Sequence, residues 1–245
     1  MYDIVCKFHL APESPWHDAS NALEALRPYA RWLGERDPTL NRWWLGGDTL
    51  EEAHRYEAFA DGVNGHTAAK AVLAAEFKGD RDPVVFLWNG EEDDKKAASL
   101  VLSVRTGRYA SDMKFSPSGP IAGSVVGDYR QVATFVALLA SDTIAECCFV
   151  YNRSGYGKYQ TFKDRPGVGW MLYLPRVFTQ AELPEARALI PVMKDKRQMG
   201  TIIVSVTDGV FDYRRPDHLE IARAIETRLV SHDWLPTWAQ MTRTG

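Results

Sequence analysis

The chain has 245 residues, of which 45% are hydrophobic and 25% are charged, and its formal net charge is −3. These are ordinary values for a soluble globular protein, and the length suits one large domain or two closely joined halves. The slight negative charge provides no global basic field, which argues against a module that binds DNA or RNA directly. No apolar run approaches the ~20 residues of a membrane helix, and the N-terminus lacks the pattern of a signal peptide, so we expect a cytoplasmic protein.

Apolar periodicity divides the first third of the chain into a strand followed by helices. The strand is predicted over 2–10, and the longer helices over 18–38 and 66–78. Pro28 lies inside the first helix and predicts a late start or a kink there. Between the two helices, a turn at Gly46 and Gly47 precedes a short helix that Asp48 or Thr49 can cap, with Glu51 and Glu52 in its first turn.

Residues 84–88 and 98–104 predict the two strands of a β-hairpin, and Asn89-Gly90 starts the connection between them. That connection has the sequence LWNGEEDDKK, in which four carboxylates, Glu91, Glu92, Asp93 and Asp94, follow Trp88. The acidic run is therefore expected at an exposed hairpin tip and not in a core.

Residues 107–127 are rich in Gly, Ser and Pro and predict a long loop, which is a candidate seam between two α+β halves. Beyond it, helices are predicted over 128–140, over 181–190 and from Pro216 onward. Strands are predicted over 145–151, 157–162, 168–174 and 201–206. The sequence therefore predicts an α+β fold with a mixed or mainly antiparallel sheet and packed helices, in a single domain over 1–245.

The acidic run contains the D-x-K spacing of metal-dependent nucleases, at Asp93 to Lys95 and at Asp94 to Lys96. Such a site needs a further carboxylate and a metal held on rigid elements, which a hairpin tip with four adjacent carboxylates does not supply. Three interpretations of the run remain open: a metal-binding catalytic cluster, a loop that binds a partner, and a solvated loop without a partner.

Other motifs indicate neither catalysis nor a cofactor. The S-x-x-K pattern at 111–114 lacks its companion patterns, and the sequence has no G-x-S-x-G, H-E-x-x-H or Walker motif. The six histidines are scattered at spacings that do not suit a metal. Three cysteines are too few for a disulfide framework, and the adjacent Cys147 and Cys148 in AECCFV predict buried thiols in a strand.

Aromatic residues beside charges are typical anchors of protein interfaces. Trp43 and Trp44 are adjacent, so in an extended segment we expect one of them near the surface. They precede Asp48, Glu51 and Glu52, which form a second candidate acidic patch. Aromatic residues over 151–163 are interleaved with Lys and Arg, but the overall negative charge and the absence of an RNP motif argue against RNA binding.

Five stretches, in order and spread across nearly the whole chain, resemble the immunity protein 52 family. They are 43-WWLGGDTLEEA-53, 86-FLWNG-90, 164-DRPGVGWMLYLPRV-177, 200-GTIIVSVTDG-209 and 219-LEIARAIETRLV-230. The resemblance implies a non-catalytic antitoxin of a polymorphic-toxin system, without metal or cofactor. It implies that the partner is a nuclease toxin of the restriction-endonuclease fold, often a type VI secretion effector, encoded by a neighbouring gene.

A toxin that cuts DNA must present a positively charged cleft to phosphates, and carboxylates beside aromatics suit such a cleft. Under the resemblance, the candidate partner-binding residues are Glu91, Glu92, Asp93, Asp94, Trp88, Trp43, Trp44, Asp48, Glu51 and Glu52. Two alternatives stay open: a metal-dependent nuclease or other hydrolase with an unrecognised site, and an adaptor that loads an effector onto the secretion machinery and leaves its nuclease active.

Overall fold

The structure is a computed structural model that describes residues 3–63, 65–118, 127–151 and 155–241. The predicted α+β class is confirmed: the described residues form five α-helices and nine β-strands, and the strands within each of the two units below pair antiparallel. The chain divides into two compact units, one over Leu10–Val125 and the other over Tyr2–His9 with Val126–Gly245. The boundary near residue 125 falls within the predicted seam, and the single-domain organisation stays a prediction.

The first unit contains helices α1 to α3 and strands β2 to β5. The bounds are α1 Ala19–Gly34, β2 Trp44–Leu45, α2 Leu50–Ala53, α3 His66–Glu76, β3 Val84–Trp88, β4 Ala98–Ser103 and β5 Ser111–Pro117. The strands pair in the order β2-β3-β4-β5. Helix α1 packs on α3, β3 and β4, so it covers one face of this sheet.

Helix α1 begins where the Asp18 side chain accepts a hydrogen bond from the Asn21 amide at 3.0 Å. It continues past Pro28, so the late start suggested by that proline is wrong. Pro28 lies on the exposed side of the helix, while the buried stripe runs on either side of it through Leu26 and Tyr29. Tertiary burial of that stripe outweighs the one backbone hydrogen bond that a proline removes.

Strand β3 separates its residues between the two faces of the sheet. Val85 and Leu87 are fully buried toward α1, whereas Val84 and Phe86 are 37% and 45% exposed. Trp88 shares the face of Phe86 because side chains alternate along a strand. This unit therefore presents apolar side chains on the sheet face opposite α1.

The second unit contains strands β1 and β6 to β9 with two long helices. The bounds are β1 Asp3–Phe8, α4 Tyr129–Thr143, β6 Cys147–Tyr151, β7 Met171–Leu174, β8 Ala188–Lys194, β9 Arg197–Val204 and α5 Pro216–Ser231. The strands pair in the order β1-β6-β7-β9-β8, and α4 packs against all five. The Asp128 side chain caps α4 at the Arg130 amide, 2.9 Å away, and Pro216 opens α5, both as predicted.

A buried carboxylate ties α5 to the segment that precedes β7. Glu226 is fully buried and accepts hydrogen bonds from the Thr161 amide at 2.8 Å, the Val168 amide at 3.1 Å and the Tyr156 hydroxyl. Burial and the neighbouring Glu226 carboxylate raise the pKa of Tyr156 well above its ordinary value. Two of the stretches that resemble the family, DRPGVGW and LEIARAIETRLV, thus meet at one buried acceptor.

Three further secondary-structure predictions are wrong. The predicted loop over 107–127 contains β5, whose buried Met113 and Phe115 alternate with half-exposed Lys114 and pair with β4. The predicted helix over 181–190 gives way to β8, which a two-residue turn at Asp195 and Lys196, both with positive φ, joins to β9. The predicted strand over 157–162 is replaced by a short 3-10 helix, Tyr156–Lys158.

Candidate partner-binding surface

The base of the acidic hairpin is closed by the side chain of Asn89, which is 4% exposed. Its Oδ1 accepts a hydrogen bond from the Ala98 amide at 2.8 Å. Its Nδ2 donates to the carbonyl oxygens of Lys96 at 3.0 Å and Thr39 at 3.2 Å. The next residue, Gly90, has φ +78°, and a Cβ there would lie 2.4 Å from the Trp44 ring. The loop therefore starts from a fixed and closely packed base.

The acidic run beyond this base forms a turn at the surface. The Asp93 carbonyl accepts from the amides of Lys96 at 2.7 Å and Ala97 at 3.0 Å, and its Oδ1 accepts from the Lys95 amide at 2.9 Å. Glu92, Asp93 and Asp94 are exposed, and Glu91 is half-buried. The predicted exposure of the hairpin tip is confirmed.

The D-x-K spacing does not assemble a metal centre in the parts of the chain that the structure describes. One oxygen of the Asp93 carboxylate is bonded to the amide of Lys95, the lysine of its own D-x-K. Within the described ranges, no group of three or more His, Cys, Asp or Glu side chains is placed to hold a metal ion.

The second acidic segment is the N-terminal turn of α2. The Thr49 hydroxyl accepts from the Glu52 amide at 3.2 Å, and Glu52 Oε2 accepts from the amides of Asp48 and Thr49, each at 3.2 Å. This capping box identifies Thr49, one of the two predicted residues, as the cap. Asp48, Glu51 and Glu52 are all exposed, so the cap leaves three carboxylates at the surface.

The two acidic segments are joined through the end of α2. The Trp88 indole donates to the Ala53 carbonyl at 3.1 Å, and His54 Nε2 donates to the Gly90 carbonyl at 3.0 Å. The His54 ring lies 4.9 Å from the Trp88 ring and 5.5 Å from the Trp44 ring. The two segments are therefore parts of one acidic surface, which consists of Asp48, Glu51, Glu52, Glu91, Glu92, Asp93 and Asp94.

Both adjacent tryptophans are buried, so the prediction that one of them lies near the surface is wrong. Trp43 is 1% exposed and donates its indole N–H to the Leu40 carbonyl at 2.8 Å, whereas Trp44 is 9% exposed. The Trp44 ring is covered by other parts of the chain: it packs so closely on Gly90 that a Cβ there would lie 2.4 Å away, and the His54 ring meets it edge-on at 5.5 Å. The Arg42 guanidinium lies 4.6 Å from the centre of the Trp44 ring and covers it.

An apolar cleft of about 450 Å³ lies beside the acidic surface. Its lining comes from α2, from the turn before it, and from one face of the sheet: Gly46, Gly47, Asp48, Thr49, Leu50, Ala53, Phe86, Trp88, Ala97, Ala98, Ser99, Ser116 and Ser118. Leu50 is 50% exposed and Phe86 is 45% exposed. Neither residue was predicted at this surface from the sequence, although the alternation in VVFLW places Phe86 on the same face as Trp88.

The remaining candidate groups are buried within the fold. The Ser111 hydroxyl is fully buried and accepts from the Arg105 amide at 3.0 Å, and Lys114 lies on the other face of β5, so S-x-x-K does not assemble. The predicted burial of the Cys147 and Cys148 thiols is confirmed, and that burial raises the pKa of both. A raised thiol pKa disfavours the nucleophilic thiolate.

No helix within the described ranges is long and apolar enough to cross a membrane.

Comparisons with known proteins place these features in a family. The model of the family described as immunity protein 52 matches residues 17–236, which include the whole acidic surface. Among solved structures, the chain is similar to the Pseudomonas aeruginosa T6SS protein PA0821, at 12% identity and a TM-score of 0.56, over 93% of this chain and 72% of that chain. At this identity the likeness shows a shared fold. A search of the curated proteins found no match. Because the family match covers most of its length, the chain belongs to the immunity protein 52 family.

Proposed function

We propose that this protein is a cytoplasmic immunity protein that binds one cognate type VI secretion nuclease toxin and neutralises it without catalysis. Family membership implies a cognate toxin partner. The name of PA0821, a T6SS protein of similar fold, supports a place beside that secretion system. The nuclease nature of the toxin, its restriction-endonuclease-like fold and its encoding by a neighbouring gene are part of the proposal.

The observation that carries the binding mode is the acidic surface. Its seven carboxylates belong to two segments that Trp88 and His54 hold together, and all but the half-buried Glu91 are exposed. A nuclease must present positive charge where it holds phosphates. A rigidly based negative surface therefore complements that cleft, speeds the encounter and disfavours partners of the wrong charge.

The three candidate tryptophans differ in how far they are exposed. Trp88 is half-buried and lines the apolar cleft, so a docked partner can reach part of its ring. Trp43 lies in the core, and Trp44 lies beneath Arg42. We propose that these two support the surface from behind, and that direct aromatic contact comes from Trp88. A specific complex of this kind buries about 1,200–2,000 Å² in total.

The direct test uses the C-terminal domain of the protein encoded by the neighbouring gene. The chain is titrated into that domain by calorimetry, and plasmid cleavage is assayed on the same samples. Binding near one-to-one, with cleavage lost at equivalence, is the expected result. Binding with cleavage intact would instead support the adaptor, and the absence of binding would overturn the proposed partner.

A charge-neutral variant tests the acidic surface itself. Glu91→Gln, Glu92→Gln, Asp93→Asn and Asp94→Asn together should slow association at least about tenfold at low salt and flatten its dependence on ionic strength. A matched control neutralises four carboxylates of the second unit, Asp142, Glu146, Asp208 and Glu220, and has the same net charge. If the two variants associate at equal rates, net charge alone drives binding and the loop has no specific role.

A further inference from the structure

We propose that the apolar cleft of the first unit is the anchoring pocket for the toxin, and that it receives an apolar side chain flanked by lysine or arginine. This inference rests on the proposed function. It specifies which part of the surface makes dissociation of the complex slow, and which side chains the toxin must carry to enter the cleft.

The cleft combines several apolar side chains at the surface of the first unit. Leu50 and Phe86 each expose about half of their surface and line the cleft together with Ala53 and Trp88. Among the described lining residues there is no lysine or arginine. Large apolar side chains that cluster at a surface mark interaction sites, because covering them removes apolar area from water.

The cleft is shaped before any partner arrives. The capping box fixes the first turn of α2, and the Trp88 indole holds the other end of α2 through the Ala53 carbonyl. The turn before α2 passes so close that a Cβ on Gly47 would lie 2.6 Å from the Ala53 amide nitrogen. Docking therefore needs little ordering of this protein, and a smaller entropic cost favours a long-lived complex.

The charges at the rim define the chemistry of the occupant. Asp48 is itself part of the lining, and the Glu52 carboxylate accepts a hydrogen bond from the Asp48 amide at 3.2 Å. An apolar side chain that enters beside them brings its neighbouring residues against carboxylates, so lysine or arginine neighbours are favoured and acidic ones are repelled. The same chemistry suits a protein segment from the edge of a phosphate-binding cleft, where basic residues are concentrated.

The test replaces the two exposed apolar residues without adding charge. Leu50→Ser and Phe86→Thr keep residues that suit a helix start and a strand, and the matched controls are Val177→Ser and Met193→Thr, which are 52% and 50% exposed in the second unit. The probe is the same toxin domain, measured by surface plasmon resonance at two salt concentrations, with plasmid cleavage in parallel. Urea unfolding of each variant establishes that the fold is kept.

We expect the Leu50→Ser, Phe86→Thr double variant to dissociate at least about 30-fold faster, with little change in association rate or salt dependence. The controls should match the unsubstituted chain. If the unsubstituted chain binds and protects while the double variant dissociates at the same rate, the anchoring pocket is refuted and the proposed function stands. If the free chain is a dimer that the double variant breaks, the cleft is occupied by a second copy and the inference is overturned.

Discussion

Removal of the Asn89 side chain tests whether a single residue holds the base of the acidic loop. Asn89→Ala deletes three hydrogen bonds, one accepted from the Ala98 amide and two donated to the carbonyls of Lys96 and Thr39. Ala98 is 4% exposed, so its amide loses its partner in a site with little access to water. An unsatisfied buried donor costs about 1–3 kcal/mol, and each of the two other hydrogen bonds contributes about 0.5–1.5 kcal/mol. We therefore expect a loss of about 2–6 kcal/mol in the free energy of unfolding.

Urea unfolding of the full chain measures this loss as a lower midpoint at an unchanged slope. The matched control is Asn21→Ala on the exposed side of α1, which should change the unfolding free energy by less than about 0.5 kcal/mol. Asn89→Asp refines the test, because a carboxylate would face two carbonyl oxygens and its pKa would rise. That variant should recover stability relative to the unsubstituted chain as pH falls. A loss below about 1 kcal/mol for Asn89→Ala would refute the argument that this side chain holds the loop.

Two further predictions concern the second unit. Glu226→Ala removes the acceptor of three buried donors and should lower the free energy of unfolding, measured with urea, by about 3–5 kcal/mol. As a control, replacement of the exposed Glu220 by Ala should lower it by less than about 0.5 kcal/mol. Equal effects of the two substitutions would contradict the role of Glu226 as a buried acceptor. The Arg214 guanidinium and amide lower the pKa of Asp212 from 3.8 to about 2. The pKa of Asp212 is lower in the folded protein than in the unfolded chain, so the ionised carboxylate stabilises the fold. This stabilisation is fully present above the unfolded pKa and is lost as pH falls from about 4 to about 2. Asp212→Asn should therefore weaken the pH dependence of the urea unfolding midpoint between about pH 4 and pH 2. An unchanged pH dependence would contradict the stabilising role of the Asp212 carboxylate.

The parts of the site that local sequence determines could be predicted. Asn89-Gly90 between two apolar runs places the acidic residues at a hairpin tip, and the spacing of Thr49 and Glu52 produces the capping box. These features depend on residues close in sequence and on backbone preferences that act locally. The exposure of the acidic hairpin tip followed from the same signals.

The parts of the site that depend on contacts between residues distant in sequence could not be predicted. The burial of Trp44 involves its contact with Gly90, far along the chain, and the sequence next to Trp44 does not indicate that contact. Alternation along β3 places Phe86 and Leu87 on opposite faces of the sheet, but only the packing of α1 on β3 decides which of them is exposed. Strand β8 escaped prediction because its turn uses Asp195 and Lys196 with positive φ and not the usual glycine.

The closed base of the acidic hairpin separates the stability of the sheet from the sequence of the loop. Asn89 bonds across the hairpin to Ala98 and Lys96, so the sheet ends at a side-chain contact and the residues between them lie outside its ladder. Substitutions at residues 91–95 can then change the charge and shape of the loop without altering the register of β3 and β4. Under the proposed function, a lineage that meets a new toxin could exchange this short loop and keep its core.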